Sequence, residues 1–336
     1  MGFTELNSVE HYIINQLTGV NLNQGKVAEI PLKPYGAVWQ FQSSEQLARG
    51  VNEVMVESQV KEALLRLNPE IQARPELADE VIYKLRAILI SVNQIGLVKA
   101  NEEFFLWLTG EKTMPFGDNN RHVPVRLIDF DDLTNNQYII TNQFRIHHRE
   151  TKIPDIVMMI NGIPVVVGEA KTPIRSSISW LDGAHEVHNI YENAVPQLFV
   201  PNILSFATEG KELFYGAIRC PLEFWAPWRL EEGAEDVAIA KTFGLGEVGK
   251  ELNDLLKPAR LLDIMRNFSL FTSNKKKQRM KVIPRFQQYE GANKIVQRVI
   301  EGKVKKGLIW HFQGSGKSLL MVFAAQKLRR EAALKS

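Results

Sequence analysis

Two apolar runs laid end to end around a reversal constrain this chain more than any other feature. Ile156-Val157-Met158-Met159-Ile160 and Ile163-Pro164-Val165-Val166-Val167 are separated by Asn161-Gly162. That dipeptide accepts positive φ at both positions and so favours a tight hairpin turn. Runs of this length and β-branched content on either side of it read as antiparallel strands. Neither run alternates with polar residues, so both faces of the pair must be covered by other elements. Charge returns only at the open end, with Asp155 before the first run and Glu169 and Lys171 after the second. Three ionisable groups at the mouth of a buried hairpin call for a functional reason.

The pleat places two of them together. Glu169 and Lys171 are two residues apart, so on a continuous strand their side chains leave the same face, about 7 Å apart along the chain. Asp155 has to reach that face from the neighbouring strand. A bare two-residue loop would pair Ile160 with Ile163, and the same ladder would set Asp155 opposite Gly168, turned away from Glu169. A three-residue connection, Asn161-Gly162-Ile163, or a bulge near Gly168 would instead bring Asp155 opposite Glu169. One of these two devices is therefore expected.

Charge then suggests the chemistry. Two hard carboxylates, Asp155 and Glu169, with the backbone carbonyl of Ala170 as a third ligand, suit Mg²⁺ and a bridging substrate phosphate. Lys171 beside them would orient or help deprotonate an attacking water and offset phosphate charge. The plain alternative, a Glu/Lys pair on a surface hairpin, fits poorly with strands this apolar.

The segment IPDIVMMINGIPVVVGEAKTP resembles the PD-(D/E)xK nuclease core, and its wording is similar to the N-terminal part of the R (restriction and motor) subunit of Type I restriction enzymes. The stretch YENAVPQLF, residues 191–199, resembles the helix that carries that family's QxxxY element. Tyr191 takes the tyrosine place, but Val187 stands where the glutamine belongs, so His188 or Asn189 must substitute or the nuclease is weakened. The resemblance implies an α/β fold, a mixed sheet flanked by helices. It also implies non-specific cutting of double-stranded DNA where a motor stalls, with sequence specificity held by partner methyltransferase (M) and specificity (S) subunits. Glu10, on the first helix, reads most simply as a solvated glutamate; in many related nucleases a helix carboxylate at this place approaches the metal site. Two other readings stay open: a non-cutting interaction module built on the same fold, and a RecB-like exonuclease of a repair helicase.

A second motif lies near the other end. Gly307-Leu308-Ile309-Trp310 reads as a short buried strand, followed by His311-Phe312-Gln313-Gly314-Ser315-Gly316-Lys317-Ser318 and an apolar helix over 319 to about 328. This is the order of a phosphate-binding loop. Backbone N–H groups of Gly314, Ser315 and Gly316 would cradle phosphates, Lys317 would reach the β/γ oxygens, and the Ser318 hydroxyl would ligand Mg²⁺. His311 takes the first glycine place of the usual pattern, and histidine there resembles the variant of the Type I R subunits. Gln288, with Gln287 as the alternative, is similar to the adenine-recognising glutamine that precedes this loop in superfamily 2 helicases. The acidic Walker B strand and a second lobe are missing from the sequence, so these residues read as the start of a RecA-like lobe, and ATP hydrolysis or translocation is not expected of the 336 residues alone.

Composition sets the remaining bounds. With 336 residues, 45% of them hydrophobic, there is material for more than one core. The expected organisation is a nuclease domain with a helical cap over 1–230, a helical connector over 231–280 and the truncated ATPase lobe over 281–336. Helices are expected over 44–67, 77–89 and 101–108, and strands over 123–130, 137–147, 153–160, 163–171, 203–208 and 213–219. A lone Cys220 excludes a disulfide framework and suits a reducing compartment. No run is long and apolar enough for a membrane span, and the N-terminus lacks a signal-peptide pattern, so a cytoplasmic chain is expected. Net charge is only +3, so nucleic-acid contact must be local. Arg145, Arg149 and Lys152, just before Asp155, are placed to guide DNA, whereas Lys275-Lys276-Lys277 reads as a solvated run.

Overall fold

Asn161 and Gly162 both adopt positive φ, 52° and 77°. The hairpin expected around them is present in the computed structural model, which describes residues 9–22, 39–172, 177–229, 246–303, 306–310, 313–331 and 334. The turn is anchored on all sides. The Asn161 side chain donates to Leu127 O and accepts from the Gln137 N–H, both within 2.9 Å. Gly162 O accepts from the Val56 N–H at 2.9 Å. A Cβ on Gly162 would stand 2.5 Å from Val56 O, so close backbone approach and positive φ both require glycine.

The hairpin forms the centre of a seven-stranded sheet. Its strands are β1 (Gln40–Phe41), β2 (Tyr138–Asn142), β3 (Ile156–Ile160), β4 (Ile163–Ala170), β5 (Leu204–Thr208), β6 (Leu213–Gly216) and β7 (Ala226–Pro227), and their spatial order is their chain order. The sheet is mixed: β1 with β2 and β4 with β5 run parallel, and the other neighbours antiparallel. Every residue of β3 and β4 is buried, as runs without polar alternation require. Each such Ile, Val or Met contributes about 1.5–3 kcal/mol by leaving water.

Helices cover the sheet. The longer ones are α1 (His11–Thr18), α2 (Glu57–Leu67), α3 (Leu77–Ile95), α4 (Leu97–Leu108) and α5 (Trp180–His185), the last followed by a π-helical turn over Glu186–Tyr191. The mixed α/β architecture expected from sequence is thus found. Several boundaries differ. The helix expected from 44 begins only at Glu57, because Val54, Met55 and Val56 are buried in an irregular segment that docks on the hairpin turn. The strand expected over 137–147 breaks at Gln143, whose φ of 50° cannot continue a strand. Of the strand expected over 123–130, only Val123–Pro124 pairs, with Thr113–Met114.

Beyond the sheet, the described part of the connector holds α6 (Gly246–Leu255), α7 (Pro258–Asn267) and a hairpin of β8 (Leu270–Ser273) and β9 (Arg279–Val282); α8 (Phe286–Glu301) and α9 (Lys317–Arg330) follow. These elements share one hydrophobic core with the sheet. Trp228, fully buried, packs edge-on against Tyr215 of β6 and Phe286 of α8 and donates its Nε1–H to Asp254 at 2.8 Å. The buried strand expected at 307–310 is not formed: Leu308 and Trp310 are 85% and 89% exposed. Strands need ladder partners, and among the described residues none lies beside this segment. No described helix is long and apolar enough to cross a membrane.

Candidate active site

The register decides where Asp155 falls. β3 and β4 pair Ile160 with Ile163 and Met159 with Pro164, and then the ladder shifts so that Met158 meets Val166 and Ile156 meets Gly168. Val165 is the extra residue of a bulge, and continuing the shifted ladder sets Asp155 opposite Glu169. Of the two expected devices, the bulge is the one used. It lies at Val165, toward the turn, rather than near Gly168. Gly168 has another role: a Cβ there would meet the Phe206 ring at 2.2 Å, so its lack of a side chain lets β5 close on β4.

Asp155 Oδ2 accepts from the Ala170 N–H at 2.9 Å, and Oδ1 from Gln143 Nε2 at 3.2 Å. Glu169 is 2% exposed; its Oε1 accepts from Lys171 Nζ at 2.7 Å, while its buried Oε2 has no hydrogen-bond partner. Burial first, and then the field of Asp155, push the Glu169 carboxyl well above its usual range, with Lys171 opposing. Burial works against the Lys171 charge, but Glu169 and Glu186 outweigh it and hold the ammonium above its ordinary value. Helix α5 reaches this corner through Gly183, where a Cβ would touch Glu169 Cγ at 3.3 Å.

Glu186 is a residue that sequence reasoning missed. Its Oε2 accepts from Lys171 Nζ at 2.6 Å and its Oε1 from the Tyr191 hydroxyl at 2.9 Å. Burial raises its pKa, yet the hydrogen bonds from Lys171 and Tyr191 prevail and keep it below the usual carboxylate value. Tyr191 also reaches Glu169 Oε1 at 3.4 Å. The expected i,i+4 partner of Tyr191, Val187, is fully buried in the core. The chain between Glu186 and Tyr191 is a π-turn, whose i→i+5 repeat aligns residue 186 rather than 187 with Tyr191. Glu186, and neither His188 nor Asn189, therefore stands beside Lys171. Only a search at spacing five could have found it.

Glu10 is not a solvated glutamate. It is 1% exposed and accepts from Asn142 Nδ2 at 2.5 Å and Gln143 Nε2 at 2.8 Å, which joins it to Asp155 through one amide. No three His, Cys, Asp or Glu side chains gather to hold a metal among the described residues. A divalent ion would rest on Asp155, Glu169 and main chain. The unpartnered, buried Glu169 oxygen across the ladder from a second carboxylate fits a hard cation, which would relieve the cost of holding both.

Residues 32–223 match the family model for the N terminus of the Type I restriction enzyme R protein, more than half of the chain. The chain belongs to this family. A Type I restriction enzyme endonuclease subunit, HindI, of Haemophilus influenzae is 30% identical over 334 residues, covering 94% of this chain and 31% of that protein. A putative subunit of the same description, MjaVIIP, from Methanocaldococcus jannaschii is 33% identical over 219 residues, covering 60% of this chain and 19% of its own length. The chain thus spans less than a third of these relatives. Residues 287–336 match a second family model, the SWI2/SNF2 ATPase. The seven-stranded mixed sheet with flanking helices is a PD-(D/E)xK nuclease-like fold, as the R-protein match requires.

The other site residues expected of this R-protein chain are placed as follows. Arg145 is exposed and lines a cleft of about 480 Å³ with Ser43, Ser44, Arg49, Asn142 and Gln143. Arg149 instead donates to Asn93 at 3.3 Å, and Lys152 pairs with Glu150 at 2.8 Å, so the three cations do not converge. His147 and His148 bond to Thr151 and Asn93, not to one another. In the phosphate-loop segment, Gly314 and Gly316 take positive φ, 87° and 81°, and α9 starts at Lys317, with Ser318 exposed in its first turn. His311 lies outside the described residues. Gln288 is buried; its Oε1 accepts from the Arg285 N–H and its Nε2 donates to Ser315 O at 3.1 Å, so here its amide holds the loop.

Proposed function

We propose that this chain carries the DNA-cutting site of a Type I restriction enzyme R protein. The observation that carries the reading is Lys171 Nζ at 2.7 Å from Glu169, on the face that the Val165 bulge gives to Asp155. Asp155, Glu169 and the Ala170 carbonyl would hold Mg²⁺. When bound, the ion supplies electrophilic stabilisation of the phosphate in transition and of the leaving 3′-oxygen.

The chain's own residues supply the rest. Lys171 orients the attacking water and balances charge on the phosphate. Glu186 and Tyr191 hold that ammonium in place, so Lys171 keeps a carboxylate partner when Glu169 turns to a cation. The cleft beside Gln143 offers Arg145 to the phosphates of a double-stranded DNA. In the longer protein, the loop of Gly314, Ser315, Gly316, Lys317 and Ser318, with Gln288 behind it, would bind ATP and serve a motor that drives translocation. M and S subunits would supply methylation and site recognition, in the cytoplasm.

The reading is tested by Mg²⁺-dependent cleavage of duplex DNA by the longer subunit assembled with its partners. Asp155→Ala and Glu169→Ala are expected to abolish cutting. Cleavage at the native rate by either variant would refute the assignment.

A further inference from the structure

Gln143 combines a costly backbone with a bridging side chain. It is a non-glycine residue at φ 50°, a left-handed conformation that a β-carbon disfavours. Its position is fixed from both sides: its N–H donates to Asp155 O at 3.0 Å, and the next N–H, of Phe144, to Pro154 O at 3.0 Å. The kink ends β2 and turns the side chain toward the acidic cluster. There, one NH₂ group serves two carboxylates, Glu10 Oε2 at 2.8 Å and Asp155 Oδ1 at 3.2 Å. Asn142 gives the other Glu10 oxygen a donor at 2.5 Å, so Glu10 is a fixed end for the bridge.

We infer that Gln143 is a positioning residue for the cation, setting Asp155 through the Glu10–Gln143–Asp155 bridge; this rests on the nuclease reading above. With Oδ1 held by the amide and Oδ2 by the Ala170 N–H, Asp155 has one orientation before any cation arrives. Preorganised ligands bind with less ordering cost, and partners of this kind are commonly worth about 10–100-fold in metal affinity. The amide is neutral, which matters. An arginine or lysine spanning the same carboxylates would cancel the charge a cation needs, whereas glutamine orients both and leaves that charge intact.

Glycine at 143 separates this role from a merely structural one. Gln143→Gly removes the bridge while suiting the left-handed backbone, so the relieved strain offsets part of the lost hydrogen bonds and the variant is expected to stay folded. Gln143→Asn, also tolerant of positive φ but one methylene too short to span both carboxylates, is the second variant. Mn²⁺ serves as the probe ion, its binding to the protein followed by electron paramagnetic resonance without DNA or turnover. Both variants are expected to bind Mn²⁺ about 10–100-fold more weakly than the native protein. Native Mn²⁺ affinity in both variants would overturn the inference while leaving the nuclease reading standing. A fall in melting temperature at unchanged affinity would also overturn it, making Gln143 a residue of the fold alone. Native affinity in Asp155→Ala would overturn both readings, since Gln143 acts through Asp155.

Discussion

At the scale of residues, the cluster divides into what charge and spacing announce and what backbone geometry conceals. Asp155, Glu169 and Lys171 were legible because they stand at the open ends of two apolar runs, and the pleat fixes that Glu169 and Lys171 share a face. Glu186 was not, because an i,i+5 alignment needs a π-turn that no residue pattern specifies. Glu10 was misread because an amphipathic helix does not reveal that Asn142 and Gln143 await its carboxylate. Glu186 holds Lys171 through a 2.6 Å hydrogen bond and is tied to Tyr191 by a second. On the proposed role of Lys171, Glu186→Ala is expected to lower kcat for cleavage by about tenfold or more, with little change in KM for DNA, because the positioning of that amine is lost while DNA contacts stay. Steady-state cleavage assays on the assembled enzyme check this, and an unchanged kcat would leave Lys171 dependent on Glu169 alone.

At the scale of elements, the sequence carried the hairpin and its turn but not the position of the bulge. Bringing Asp155 opposite Glu169 takes one extra residue between turn and site, and Val165 supplies it where the strand is still anchored by the turn. Any of several positions would have met the demand, so tertiary packing chose. Gly168 shows the same logic in contact distances. Gly168→Ala places a methyl group within the Phe206 ring and should destabilise the fold by about 1–3 kcal/mol, read as a lower urea midpoint at constant slope. The hairpin of β8 and β9 gives a pH-dependent case. Lys281 is 3% exposed, donates to Asn202 O at 2.6 Å and faces the Phe105 ring at 4.2 Å. Burial lowers its pKa well below the ordinary lysine value, so the unfolded chain binds more protons than the folded one between the folded and unfolded pKa values. Stability from this group must therefore rise with pH up to about 10.4 and be lost as pH falls. Lys281→Met should raise the melting temperature at neutral pH and flatten its increase toward alkaline pH. Thermal melts across that range test it, and a variant less stable at neutral pH would contradict it.

At the scale of the whole molecule, the described elements after the sheet pack into its core. Trp225 and Trp228 are plain in the sequence but their partners are not, since an aromatic residue does not name the surface it meets. Trp228 joins β6 to α8, and Tyr215 donates its hydroxyl to Pro284 O at 2.6 Å. Trp228→Ala should cost about 3–5 kcal/mol and unfold α8 together with the sheet in one transition. Calorimetry showing two separated transitions would contradict that shared core. The segment at 307–310 teaches the converse. Its apolar residues spelled a buried strand, but a strand is a property of a ladder, and among the described residues Leu308 and Trp310 lie exposed without one. The strongest test of the whole reading joins the two motifs that frame the molecule. The longer subunit, assembled with its partners, is assayed with Mg²⁺ and ATP for duplex cleavage and ATP hydrolysis, native against Lys171→Ala. Abolished cleavage with native ATP hydrolysis is the expected result, because Lys171 belongs to the proposed cutting site and the hydrolysis reports an intact fold. Undiminished cleavage by Lys171→Ala would contradict it.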